Sequence, residues 1–575
     1  MTGADGPAAP SQAEPNSTAE PSQQGGAPPP QAEPRQHGGQ LAVGALRAWG
    51  VDTLFTLSGG HIFPFYDGAV RAEPPLRIVD VRHEQTATFA AEGTAKLTRQ
   101  PGVAVLTAGP GVTNGISAIT TARFNGSPLV VLAGRAPQRR WGAGSLQELD
   151  HVPLVSSITK RAGTVSSPDA ISAEVEAALG AALTPHRGPV FLDFPLDVIF
   201  SHGTSEPVVA DRPEGADPDP GEVARAAALI AGAERPALIV GTDVYWDGAW
   251  PEMRAAVETL RLPTFVNGLG RGCLPADHEL AFSRVRSLLK TEADVVVVAG
   301  TPLDFRISFG SFGSAQVVHL VDSPEQRANH ITPAVSPAGN LATMFEGLAH
   351  WSGSGPSARA DHEPWIAKLR DAESAARHAD RPLLEAATDP IKPTRVYGEL
   401  NRRLDRDAIV VCDGGDFVSY AGKYVESFQP GCWLDPGPYG CLGTGLGYSA
   451  AARLAHPDRQ VVLMLGDGAA GFSLLDVDTL VRHRLPVVIV CGNNGIWGLE
   501  KHPMQMLYGY DVAADLQAGL RYDDVVRALG GAGEMVERAA DVGPALDRAL
   551  AANVPYLVNV LTDPTDAYPR SSDLG

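Results

Sequence analysis

Short unbroken apolar runs recur along this chain, each closing on glycine, aspartate, asparagine or proline, with alanine-rich stretches of helical character between them. In the first third the runs are LRIVDV, GVAVLTAG, LVVLAG and PVFLDFP. After the polar, proline-rich link SHGTSEPVVADRPEGADPDPGE come PALIVG, PTFVNG, DVVVVAG and QVVHLVD. Beyond WSGSGPSARADHEP and a charged helical stretch they are AIVVCDGG, VVLMLGDG, PVVIVCGNN and YLVNVLTD. Continuous apolar runs of this length mark strands buried on both faces, since a half-exposed strand alternates. Strand–helix alternation predicts an α/β fold of three doubly wound parallel-sheet domains. We place them at residues 39–200, 201–355 and 356–575, after a tail over residues 1–38. Ligands of such sheets sit outside the carboxyl ends of the strands. GDG, GNN, TAGPG and DGGD all fall there.

At 575 residues the chain is too long for one core. Its net charge of −20 argues against a nucleic-acid or acidic-membrane partner. A phosphate-bearing ligand must then be held by local devices: a metal, loop amides or helix ends. Cys273, Cys412, Cys432, Cys441 and Cys491 are scattered, with no C-x-x-C, which suits reduced thiols in a cytoplasmic protein. No apolar stretch approaches the ~20 residues that span a bilayer. The first 38 residues, rich in Pro, Ala, Gly, Gln and Glu, hold one arginine (Arg35) and no apolar core segment, so they read as a disordered tail and not as a signal.

Within VVLMLGDG and PVVIVCGNN, Asp467 and Asn494 end two successive strands joined by one helical stretch. Neighbouring parallel strands bring their ends together, so a carboxylate and a carboxamide oxygen face one site. That is hard-oxygen ligation suited to Mg²⁺. Gly466 and Gly468 allow close backbone approach, and the amides of Gly468, Ala469 and Ala470 open the next helix, where a diphosphate is favoured.

GDG followed by NN resembles the diphosphate–metal motif of thiamine-diphosphate (ThDP) enzymes. By that resemblance the metal ligands are Asp467, Asn494 and the backbone carbonyl of Ile496. The three domains become pyrimidine-binding, central nucleotide-binding-like and diphosphate-binding. The resemblance also calls for a glutamate on N1′ of the coenzyme's pyrimidine. Glu84, in VDVRHEQTATFAAEGTAKLT, opens a helix among apolar neighbours, surroundings that suit a carboxyl sharing a proton with a ring nitrogen. TAGPGVTNG (107–115) resembles the loop against the pyrimidine in the group that holds acetolactate synthase, 2-hydroxyacyl-CoA lyase and oxalyl-CoA decarboxylase. SLQELDHVP (145–153) is similar to that group's Phe-Gln-Glu segment and puts Gln147 near the substrate. GPYGCLGTGLGY (437–448) resembles the segment under the coenzyme's bend, with the Gly440 carbonyl as acceptor for the 4′-amino group and Leu442 as the apolar wedge. Family relatives work as homodimers or homotetramers with active sites between subunits.

Several residues depart from acetolactate synthase. In NNGIWGLEKHPM, Glu500 and Pro503 replace an apolar residue and a tryptophan, and FPLD carries Leu196 where the synthase has lysine. GGHIF places His61 in a context similar to benzaldehyde lyase, and FSRVRSLLKTEADVVVVAG resembles a segment of 2-hydroxyacyl-CoA lyases. These features favour a carbon–carbon lyase splitting a 2-hydroxyacyl-CoA into an aldehyde or ketone and formyl-CoA, with Glu500 and then His61 as candidate base. The alternatives are acetolactate synthase, or another decarboxylating carboligase of 2-oxo acids, and a non-catalytic ThDP-binding paralogue. The lyase reading implies ADP in the central domain, with Asp322 on its ribose, and the synthase reading implies FAD. A CoA thioester would need basic groups such as Arg570. Trp141, Trp497 and the run GIWGLEKHPMQMLYGY are candidates for a flap over substrate.

Overall fold

The computed structural model describes residues 35–204, 211–351 and 360–568. Arg570 and residues 1–34 of the expected tail lie outside them. Gln36 and His37, placed by the sequence reading within that tail, instead pair antiparallel with Gly203 and His202. His37 caps the helix Gly38–Ala48 by accepting from the amides of Gly39 and Gln40, and its Nε2 contacts Asp67 at 2.7 Å. A cap of this kind satisfies amides that have no partner inside the helix.

Three parallel sheets form. The first runs Arg77–Asp80, Thr53–Thr56, Gly102–Leu106, Leu129–Arg135, Val190–Pro195, Arg161–Thr164. The middle sheet runs Thr264–Val266, Pro236–Val240, Val295–Ala299, Gln316–Leu320. The third runs Trp433–Leu434, Ile409–Asp413, Val461–Gly466, Val488–Asn493, Tyr556–Leu561, Ala532–Val536. Side chains alternate across a strand, and the run VVLML shows the consequence. Val461, Leu463 and Leu465 enter one core while Val462 and Met464 enter the core on the opposite face. The first sheet does the same, with Val103 and Val105 on one side and Ala104 and Leu106 on the other. Each sheet is thus covered on both faces, as the unbroken apolar runs require.

The first and third domains meet through the helices Glu84–Thr98 and Gly445–Ala455. Gly447 makes the approach possible: a Cβ there would lie 2.8 Å from Cβ of Phe89 and 2.9 Å from the Ala90 nitrogen. Beside this contact Tyr448 donates its hydroxyl to Glu92 at 2.7 Å and receives the Lys96 ammonium at 2.9 Å, all three buried. Lys96 and Glu92 are themselves 3.2 Å apart. All five cysteines are free. No helix among the described residues is long and apolar enough to cross a membrane.

Candidate functional site

In the third sheet the chain moves from Ile409–Asp413 outward to Trp433–Leu434, then returns to Val461–Gly466 on the other side. The switch point lies between Ile409–Asp413 and Val461–Gly466, the crevice where ligands of doubly wound sheets bind. Asp467 stands at its mouth, 4% exposed. Its carboxylate accepts from the amides of Gly495 at 2.6 Å and Gly468 at 2.9 Å. Burial pushes its pKa up to about 7, a penalty on the charged form that an adjacent cation reverses. The Gly468 amide, expected to face a diphosphate, is turned onto Asp467 itself. Gly468 also backs onto Trp497, whose ring a Cβ would strike at 2.4 Å.

Asn494 joins the same crevice. Its Nδ2 donates to Asp416 at 3.1 Å, and its Oδ1 accepts from the Ile496 amide at 3.2 Å. Ile496 forms an antiparallel bridge with Asp515, made by the Trp497 amide to Ala514 and the Leu516 amide to Gly495. In such a bridge the bonded groups alternate, so the amide and carbonyl of Ile496 face away from Asp515, on the Asn494 side. Asp467, through the Gly495 amide, and Asn494, through the Ile496 amide, thus hold one short loop at the strand ends. The donor set of carboxylate, carboxamide and carbonyl oxygen suits a hard divalent cation.

Sequence reasoning noted DGGD only as an edge motif, and the structure gives its acids distinct tasks. Asp413, fully buried, accepts from the Gly443 amide at 3.1 Å and the Gly445 amide at 2.9 Å, fixing the loop that carries Gly440 and Leu442. Gly440 is exposed in the left-handed conformation, φ 68°. Leu442 is half-buried, and its carbonyl accepts from Gln85 of the first domain at 3.0 Å.

At the carboxyl edge of the first sheet, Glu84 is buried at its helix start and accepts from Asn114 of the TAGPGVTNG segment at 3.0 Å. A Cβ on Gly111 would press on Thr107 at 2.8 Å and come within 3.7 Å of Glu84 Oε1. The absence of a side chain at Gly111 thus leaves the space beside Glu84 open. The Thr107 hydroxyl is buried with no hydrogen-bond partner and lines a cavity of about 550 Å³. His61 and Gln147 line it too, with Arg140, Leu146, Leu196 and Phe200. His61 is buried, and desolvation holds its pKa below the ordinary histidine range. Gln147 takes a positive φ of 57° over Gly109, where a Cβ would stand 3.0 Å from its own.

Three further candidates have other surroundings than expected. Glu500 is exposed in the first turn of the helix Gly498–Tyr508, and the neighbouring Lys501 is engaged by Asp511 and Asp515 instead. Trp141 lies under the Arg135 guanidinium, 4.0 Å from its ring centre. Asp322 is 2% exposed, and both its oxygens accept from His186 Nδ1, at 3.0 and 3.2 Å. The carboxylate expected on an adenosine ribose is thus turned onto a first-domain histidine that carries no sequence motif.

Comparison with known proteins fits this geometry. The family descriptions thiamine pyrophosphate enzyme N-terminal, central and C-terminal domain match residues 36–154, 223–348 and 413–560. The acetolactate synthase large subunit IlvG of Mycobacterium tuberculosis is 51% identical over 94% of this chain and 98% of its own length. A 2-hydroxyacyl-CoA lyase 2 from Caenorhabditis elegans is 32% identical over 92% of this chain and 90% of its own. The human lyase of that name is 33% identical over 87% and 84%. Sheet architecture, strand-end motifs and whole-length similarity agree: this chain belongs to the thiamine-diphosphate-dependent enzyme family.

Proposed function

We propose that the protein is a ThDP- and Mg²⁺-dependent carboligase of the acetolactate synthase kind, which decarboxylates one 2-oxo acid and joins the remaining fragment to a second. The carrying observation is the 51% identity, over nearly the whole chain, to relatives named acetolactate synthase, against 30–33% for those named 2-hydroxyacyl-CoA lyase. The cleavage reading preferred from the sequence gives way to its alternative on this ground.

The chemistry supplied by bound ThDP is nucleophilic addition to a carbonyl carbon and acceptance of the electron pair left when a carbon–carbon bond breaks. This chain's residues prepare that chemistry. Asp467, Asn494 and the Ile496 carbonyl hold the cation. Asp413 secures the loop of Gly440 and Leu442, whose carbonyl and side chain orient the pyrimidine. Glu84 would hold a proton toward a ring nitrogen of the coenzyme. His61, Gln147 and Thr107 offer polar contacts to the reacting groups, while Leu146, Leu196 and Phe200 give the cavity apolar lining. Phe472 and Leu475, just after the Asp467 loop, and Met506, Leu507 and Tyr508, in the last turn of the helix that follows Asn494, are more than half exposed. Exposed apolar side chains of this size support a homodimer or larger homo-oligomer.

Cleavage of a 2-hydroxyacyl-CoA is kept as the second reading because Leu196 lines the cavity and Glu500 stands near Asn494 in sequence, the departures from the synthase pattern. One assay separates the two: purified protein with ThDP and Mg²⁺, given pyruvate or a 2-hydroxyacyl-CoA. Acetolactate from pyruvate supports the carboligase. Aldehyde and formyl-CoA without acetolactate would overturn it.

A further inference from the structure

We propose that the seam between the first and middle domains carries a second divalent-cation site, formed by His186 Nδ1 and the carboxylates of Asp243 and Asp322. His186 comes from the loop between the helix Ile171–Leu183 and the strand Val190–Pro195. Asp243 follows the middle-sheet strand Pro236–Val240, and Asp322 follows Gln316–Leu320. One donor atom of each lies within 4.8 Å of the others. Nδ1 stands 3.0 Å from Asp322 and 3.7 Å from Asp243. Donors about 2.1 Å from one metal are separated by roughly 3.0–3.4 Å, so the two His186 distances already bracket that spacing and the carboxylates need at most a movement of about an ångström to join them.

The independent pointer is Asp243. Its side chain is only 7% exposed, and the one charged partner it faces, His186 Nδ1, stands at 3.7 Å, beyond hydrogen-bond reach. A buried carboxylate left this way is costly unless a cation joins it. The nearby cations do not resolve this. Arg187 is engaged by Asp247 at 2.8 Å, and the Lys160 ammonium donates to the Thr184 carbonyl at 2.5 Å. A proton on His186 neutralises one of the two carboxylates, whereas a divalent ion on a neutral imidazole neutralises both. One imidazole with two carboxylates suits Zn²⁺, Mn²⁺ or Co²⁺ over Mg²⁺. Bound there, the ion would tie the two domains together.

The test uses the full-length holoenzyme, saturated with ThDP and excess Mg²⁺ to occupy the third-domain site, then titrated with Co²⁺. We expect one tightly held cobalt per chain by elemental analysis, with visible d–d absorption and a higher Tm. Asp243→Asn and, separately, His186→Gln should each abolish that equivalent while ThDP still binds one per chain. Anomalous diffraction at the cobalt edge should place the ion at His186. No cobalt beyond the ThDP site, or cobalt retained in both variants, would overturn the proposal and leave a proton-bridged His–Asp cluster.

Discussion

Asp413→Ala tests the link from a buried hydrogen bond to coenzyme affinity. The wild-type carboxylate accepts from the amides of Gly443 and Gly445, both enclosed between the sheet and the helix that follows. Alanine leaves two buried donors without an acceptor, at about 1–3 kcal/mol each. The free protein can relax the loop to hydrate them, but coenzyme binding demands the ordered loop and so bears that cost. If about 2 kcal/mol is transferred in this way, ThDP affinity falls roughly 30-fold. Trp497 against Gly468 provides the reporter, because filling the crevice alters its surroundings. Tryptophan fluorescence is followed while ThDP is added at saturating Mg²⁺, with circular dichroism confirming that the variant is folded. A folded variant whose ThDP Kd stays within threefold of wild type would refute the assignment of Asp413 as a positioning residue for the loop.

Glu84→Gln keeps a carbonyl oxygen for Asn114 but cannot share a proton, so turnover should fall by about 10²–10⁴-fold while Tm is unchanged; an unaltered kcat would remove Glu84 from the chemistry. Gly468→Ala sets a methyl 2.4 Å from the Trp497 ring, and Mg²⁺-dependent ThDP binding should weaken at least about tenfold, measured by calorimetry. Tyr448→Phe removes the hydroxyl shared by Glu92 and Lys96 and should cost about 1–3 kcal/mol, read in urea unfolding; no change would mean that water replaces it. Desolvation holds the His319 pKa below the ordinary histidine range. Its contribution to stability is therefore whole above about pH 6.5 and lost as pH falls through the lower folded value. His319→Gln, which can still donate to the Thr301 carbonyl, should flatten the drop in Tm between about pH 6.5 and 5.

Much of the fold was legible because central strands of doubly covered sheets must be apolar at every position. All the apolar runs read from the sequence are strands, including the whole of the middle sheet. The strands that escaped notice are short or of mixed polarity. Trp433–Leu434, Arg161–Thr164 and Ala532–Val536 lie at sheet edges, where one flank is open. Thr53–Thr56 is interior but brief. In the site, GDG and NN were readable because glycine and amide residues at strand ends carry a geometric meaning on their own. Asp413 was visible in DGGD, yet its task depends on amides some thirty residues later. His186 was invisible for a stronger reason. Its partners, Asp243 and Asp322, come from another domain, and no local pattern announces such a meeting. The contact of Asp322 with His186 was hidden for the same cause: a strand-end acid looks alike whether it faces a ligand or a histidine of another domain.

The account rests on Asp467 and Asn494 gripping the cation that anchors the coenzyme. Isothermal titration of ThDP into coenzyme-free protein, with and without Mg²⁺, tests this most directly when Asp467→Asn is run beside wild type. One ThDP per chain should bind to wild type only with Mg²⁺ present, and the variant should lose that dependence together with most of its affinity. Equal binding without the cation, or undiminished Mg²⁺-dependent binding to the variant, would contradict it.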